Sequence, residues 1–135
     1  MAVLDNETLA LRSNEDVVLA RQTVRKWAVK LGFNLVEQTK IVTAASELAR
    51  NTVIHGGGGM LLLETLNHDD RRGLRLMFED QGPGIPNIEQ ALRDGYTTGT
   101  GLGLGLGGSK RLANDFEIHS EVGKGTRVVF TRWKV

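Results

Sequence analysis

The chain has 135 residues, with 17 Lys and Arg against 16 Asp and Glu, and no cysteine. That length suggests one domain, able to bury about 68% of its unfolded surface without covalent staples. The missing cysteines exclude disulfides, thiolate metal sites and a cysteine nucleophile. The balanced charge and the 5% aromatic content argue against nucleic-acid binding, by groove or by base stacking.

Met1 to Glu7 has neither the basic nor the apolar region of a signal peptide. No apolar run approaches a membrane span, so a cytoplasmic protein is expected. Residues 7–12 alternate polar and apolar and predict a strand. Ser13, three before Asp16, is a capping-box-like start, and Val17, Val18, Ala20, Val24, Trp27, Ala28 and Leu31 follow at helical spacing. Gly32 closes that helix. Asn34 and Glu37 repeat the cap pattern, and a second helix is expected from about Leu35 to Ile54, ending in the run Gly56 to Gly59.

Met60 to Asn67 and Leu74 to Glu79 predict a hairpin around a polar turn at 68–73. Asn87 caps a short helix through Leu92. Residues 94–103 are too glycine-rich to be anything but loop. A helical pattern runs from Leu104 to Ala113. Phe116 to Val122 and Thr126 to Lys134 form a second hairpin around Gly123-Lys124-Gly125. The order β-α-α-β-β-α-α-β-β predicts an α/β (α+β) two-layer sandwich over residues 1–135. Its sheet is expected to be mixed, mostly antiparallel, with helices on one face.

Glycine is the compositional outlier, with 17 residues, and its clusters mark specialised backbone geometry. Three stretches carry chemistry. Glu47 and Asn51 lie four apart, about 40° from each other on one helical face, while Ile41, Ala45, Leu48, Ala49 and Thr52 form a face that can pack on a sheet. The carboxylate can orient or deprotonate a hydroxyl or water, and the carboxamide oxygen suits Mg²⁺. Taken alone, the pair is read more simply as a solvated helix face.

Asp80-Gln81-Gly82-Pro83-Gly84-Ile85 ends an apolar strand. An Asp there can accept a hydrogen bond from an amino group such as that of adenine, and the two glycines let a planar base approach. An ordinary Gly-Pro-Gly bend fits equally well. Tyr96 to Gly105 alternates glycines ahead of a helix, which turns backbone N–H groups toward an anion. A flexible surface loop is the plainer alternative, but Leu102, Leu104 and Leu106 suit a free linker poorly.

Gly103 to Gly108 satisfies G-x-G-x-x-G without a preceding strand, and Gly108-Ser109-Lys110 lacks the Walker A order, so neither is a phosphate loop of those kinds. Gly123-Lys124-Gly125-Thr126 is a hairpin turn whose Thr126 starts a strand near the cleft. His55, His68 and His119 show no metal-binding spacing.

The ordered set Glu47…Asn51, Asp80-Gln81-Gly82-Pro83-Gly84, Gly101-Leu102-Gly103-Leu104-Gly105 and Gly125-Thr126 resembles the GHKL ATPase superfamily with its Bergerat fold. Ser46 to Asn51, Glu79 to Pro86 and Lys110-Arg111-Leu112 look more closely like the switch serine/threonine kinases of the RsbT type, relatives of the anti-sigma factor kinases. The resemblance implies ATP and Mg²⁺ as cofactors. It implies phosphorylation of a serine or threonine on a STAS-domain antagonist protein, followed by engagement of a phosphatase or a sigma-factor regulator.

By matching positions, Glu47 would be the general base, Asn51 the Mg²⁺ ligand, and Asp80 the reader of the adenine amino group. Gly82, Gly84 and Ile85 would line the base pocket and Thr126 would complete it. Thr97, Thr98, Gly99, Gly101, Leu102, Gly103, Leu104 and Gly105 would form a lid over the phosphates. Some relatives carry an arginine just before the lid glycines. Here Thr98-Gly99-Thr100 stands instead, so the charge opposite the γ-phosphate is expected from Lys110, Arg111, Mg²⁺ or the partner. A nucleotide-gated protein that sequesters a sigma factor or another regulator is the alternative. A detached histidine-kinase catalytic domain is a third reading, although no phosphoacceptor helix pair is visible.

Overall fold

Capping chemistry sets the first two helices. The computed structural model describes residues 1–93 and 105–134. Its elements are β1 (Ala2–Leu11), α1 (Asn14–Leu31), α2 (Leu35–Ile54), β2 (Gly59–His68), β3 (Arg71–Asp80), α3 (Ile88–Ala91), α4 (Leu106–Leu112), β4 (Asp115–Glu121) and β5 (Gly125–Trp133). Ser13 Oγ accepts from the Asp16 N–H at 3.4 Å, and Asp16 reaches back to the Arg12 N–H at 2.8 Å. Asn34 Oδ1 accepts from the Glu37 N–H at 2.9 Å. Gly32 ends α1 in the left-handed conformation, where a side chain would be strained.

The sheet order is β1-β2-β3-β5-β4, and every pairing is antiparallel. The sequence pattern predicts a mixed, mostly antiparallel sheet, and the described strands correct the mixed part. β3 and β4 do run in the same direction, but β5 lies between them, so no parallel pair forms among the described strands. β1 begins five residues before the alternating segment, pairing Ala2 with Asn67 and slipping register between Val3 and Asp5. Its first half is an exposed edge, so no burial pattern marks it in the sequence.

The core lies between the helices and one face of the sheet. Val24 and Ala28 of α1, and Ile41, Ala45, Leu48 and Ala49 of α2, are buried there. Facing them are Leu61, Leu63, Leu74, Leu76, Phe78, Val128 and Phe130, alternate residues of three central strands. The face of α2 predicted to pack on the sheet, Thr52 included, is buried as expected.

Arg132 fastens the helical layer to β5. Its Nε donates to Glu37 Oε2 in the first turn of α2, and its Nη1 donates to the Leu112 carbonyl at the end of α4, 2.6 Å away. The Arg132 hydrogen bond holds the Glu37 carboxyl below its ordinary value of 4.5, against the opposing effect of burial. A lowered carboxyl pKa contributes stability above the ordinary carboxylate range and loses it as pH falls through the folded value. Arg132→Met is therefore expected to lower the unfolding free energy by about 2 kcal/mol at neutral pH. Urea melts repeated in acid should show the gap between wild type and variant narrowing.

Candidate functional site

The strand ends that α2 overlies enclose a cleft of about 260 Å³. Leu48, Phe78, Ile85, Ala91, Leu106 and Val128 form its apolar walls, and Asn51, Asp80 and Thr126 are among the polar groups lining it. A mostly apolar pocket with a few convergent polar groups is the usual form of a small-molecule site.

Asp80 is the last residue of β3 and pairs with Thr126 at the start of β5. Its Oδ1 accepts from the Gly82 N–H at 2.9 Å. Burial raises the Asp80 pKa above its ordinary 3.8. The Gly82 and Thr126 backbone N–H groups pull the other way, and neighbouring Glu79 adds to the rise. A partly desolvated carboxylate is a strong acceptor for an amino group.

The two glycines after Asp80 have different uses. A Cβ on Gly82 would lie 2.7 Å from the Cα and carbonyl oxygen of Gly56. Gly82 thus seats the loop against the end of α2, and it is not among the residues lining the cleft. Gly84 does line it, at φ +79°, and a Cβ there would strike the Glu121 carbonyl. The loop is also tied to the second hairpin by the Gly123 N–H, which donates to the Pro83 carbonyl at 2.8 Å.

Ser120 joins these parts and was not singled out in the sequence. Its Oγ accepts from the Ile85 N–H at 2.8 Å, lies 2.8 Å from Thr126 Oγ1 and reaches the Gly125 carbonyl at 3.1 Å. It thereby fixes the Thr126 hydroxyl and the wall residue Ile85 together. The available signal was its position, since Phe116, Ile118 and Ser120 alternate on one face of β4 and only the third is polar.

Glu47 and Asn51 project from one face of α2 but address different spaces. Asn51 lines the cleft. Glu47 lines an adjoining groove of about 280 Å³ between α2 and α4. Its Oε1 accepts from Arg50 Nη1 at 3.0 Å. On its other side stands Gly105, at φ +64°, where a Cβ would come within 2.6 Å of Glu47 Oε2. Arg50, three residues along the helix from Glu47, was missing from the cations expected near the phosphates. The spacing alone makes such a pair available. Arg111 also lines the groove, and Lys110 is exposed on α4.

Thr97, Thr98, Gly99, Gly101, Leu102, Gly103 and Leu104, expected to form a lid, lie outside the described residues. Gly105 is the cap of α4. Among the described residues no three His, Cys, Asp or Glu side chains gather as a metal cage. Mg²⁺ does not require one, because it is commonly held by one or two protein oxygens with phosphate and water completing the shell. The Asn51 carboxamide, facing the cleft, fits that donor set.

Residues 11–132 match the histidine kinase-like ATPase domain family. The chain is 42% identical over 129 residues to the serine/threonine-protein kinase RsbT of Bacillus subtilis (strain 168), covering 96% of this chain and 97% of that one. It is 32% identical over 128 residues to the anti-sigma F factor of Clostridium acetobutylicum, covering 90% and 88%. Among solved structures, the RsbU and RsbW domains of Rv1364c from Mycobacterium tuberculosis share the fold with a TM-score of 0.64 at 21% identity, over 100% of this chain and 34% of that one. The catalytic domain of the histidine kinase ThkA shares it at a TM-score of 0.52 and 18% identity, over 96% and 95%.

Proposed function

From the premise that the chain belongs to the histidine kinase-like ATPase domain family and is a serine/threonine-protein kinase of the partner-switching kind, we propose that it transfers the γ-phosphoryl group of Mg²⁺-ATP to a serine or threonine of a STAS-domain antagonist protein. The observation that carries this reading is the arrangement on α2. An amide facing the cleft and a carboxylate beside it lie one turn apart, next to an apolar pocket floored by Asp80.

The residues divide the work. Asp80 accepts from the adenine amino group, and Thr126, held by Ser120, presents its hydroxyl on the same side. Ile85 packs against the base, and Gly84 keeps that wall close. The stretch from Thr97 to Gly105 is proposed to cover the phosphates. Asn51 offers its amide oxygen to Mg²⁺, which when bound offsets the charge of the phosphate oxygens. Glu47 takes the proton of the attacking hydroxyl. The hydroxyl oxygen bonds to the γ-phosphorus, the bond to the bridging oxygen breaks, and its electron pair leaves with ADP. Such a transfer depends on in-line placement and charge neutralisation more than on covalent help. Arg50, paired with Glu47, Arg111 in the adjoining groove and Lys110 on α4 are the cations proposed to contribute positive charge.

After transfer, the kinase would release the phosphorylated antagonist and engage a phosphatase or a sigma-factor regulator. Its need for ATP supports a cytoplasmic setting, and no helix among the described residues is long and apolar enough to cross a membrane.

The test is incubation with γ-labelled radioactive ATP, Mg²⁺ and a purified STAS-domain protein of the same organism. Acid-stable label on that protein is the expected result. Acid-labile label would point to phosphohistidine chemistry. A nucleotide-dependent complex without label would favour the second reading, a sequestering protein, which the likeness to anti-sigma F factors supports.

Ser120→Ala should weaken ATP binding about fivefold, in keeping with one lost hydrogen bond worth about 1 kcal/mol. Titration calorimetry would measure it. An unchanged affinity would mean that Thr126 keeps its orientation without Ser120.

A further inference from the structure

The two cavities beside α2 share a wall. Leu106, the first residue of α4, lines the nucleotide cleft, while its neighbour Gly105 lines the groove that holds Glu47. Asn51 is in the cleft and Glu47 is in the groove. The proposed base therefore lines a different cavity from the one proposed to hold adenine. We propose that the groove between α2 and α4 is the docking site for the acceptor segment of the protein substrate, an extended stretch of main chain that brings its serine or threonine hydroxyl to Glu47. This rests on the kinase reading above and names where its second substrate enters.

Three observations place a polypeptide there. The first is continuity with the reaction, since Glu47 is itself a wall of the groove. The second is an unsatisfied group. Ser109 is 2% exposed and lines the groove, and its Oγ has no hydrogen-bond partner among the described residues. A buried hydroxyl left without a partner is rare in native structures. Helical serines commonly bond back to the carbonyl four residues earlier, but here only the Ser109 backbone N–H makes that bond, to Gly105 at 2.9 Å. The hydroxyl is closed to solvent, so it can bond an incoming main-chain carbonyl or N–H only after the Ser109 side chain turns into the groove.

The third is room for a main chain. Ala44 on α2 and Gly108 on α4 are among the groove's lining residues, and among the described residues a Cβ on Gly108 meets nothing within 4 Å. A side chain added at Gly108 would therefore start from the groove wall in open space, clear of the core.

Gly108→Phe tests the assignment. Phe is a better helix former than Gly, so α4 should persist. The readouts are ATP affinity by calorimetry and phosphorylation of the STAS-domain protein that the wild-type chain labels. The expected result is a KM for that protein raised about tenfold or more, with the Kd for ATP within about twofold of wild type. The retained ATP affinity also shows that the variant is folded.

A second variant does not depend on blocking. The chain has no cysteine, so Gly108→Cys provides one thiol for a photoactivated crosslinker. Irradiation with the same STAS-domain protein should capture the peptide that carries the phosphorylated residue. An unchanged KM in Gly108→Phe, or crosslinks only to peptides remote from the acceptor residue, would overturn the assignment and leave the kinase reading standing. Wild-type reactions without label on any STAS-domain protein would refute the kinase reading itself, and this assignment with it.

Discussion

Glu47→Ala is expected to slow phosphoryl transfer by about 10²–10⁴-fold, the range for loss of a positioned general base, while ATP still binds. The separation of spaces is the reason. Glu47 lines the α2–α4 groove, and the nucleotide cleft is built without it. The substitution leaves Arg50 without this carboxylate, but the Arg50 side chain is half exposed, so the loss of the pair should cost little stability. Glu47→Gln is the sharper control, because it keeps the shape and removes the basicity. Single-turnover labelling of the STAS-domain protein separates the outcomes. A Gln variant that transfers at the wild-type rate would remove Glu47 from the chemistry and leave it a structural role beside Arg50.

Asp80→Ala should be the most damaging change to nucleotide binding. A hydrogen bond to a charged acceptor contributes about 1.5–3 kcal/mol, so the Kd for ATP should rise by roughly 10- to 150-fold. The change also orphans the Gly82 N–H that Asp80 now satisfies. Asp80→Asn separates recognition from structure. Its amide can present a donor where the carboxylate presents only acceptors, so discrimination between ATP and GTP should relax.

The pH dependence has a definite sign. Burial raises the Asp80 pKa above 3.8. The ionised group is therefore a cost to the fold at neutral pH, and that cost disappears as pH falls through the raised folded value. Asp80→Asn should thus leave the unliganded protein no less stable at neutral pH, as thermal melts would register. ATP affinity, in contrast, should decline on acidification earlier than an exposed aspartate would allow. Glu37 behaves in the opposite sense, since its lowered pKa stabilises the fold above the ordinary carboxylate range.

The parts of the fold that local chemistry controls were legible in the chain. Ser13 and Asn34 cap the helices they were expected to cap, Gly32 closes the first helix, and the turn between β4 and β5 falls at Val122-Gly123-Lys124, one residue before the expected Gly123-Lys124-Gly125. Each depends on residues within a few positions of one another. The buried face of α2 was legible for the same reason, because helical periodicity alone puts Ile41, Ala45, Leu48, Ala49 and Thr52 together. Asn51, Asp80, Gly84, Ile85 and Thr126 line one cleft in the fold.

What could not be read depends on contacts between residues distant in the chain. The insertion of β5 between β3 and β4 pairs Gly73 with Trp133, and no periodicity encodes that choice. The use of Gly82 follows from its approach to Gly56, and the use of Ser120 from its reach to Ile85 and Thr126. The division of Glu47 from Asn51 is of the same kind. Helix geometry puts the acid and the amide on one face, but only the packing of Gly105 and Leu106 against α2 sends one into the groove and leaves the other in the cleft. Residue order thus carried the chemical groups and their local geometry. Long-range packing decided which space each one faces, because a wall between two cavities is made by segments that meet only after the chain has folded.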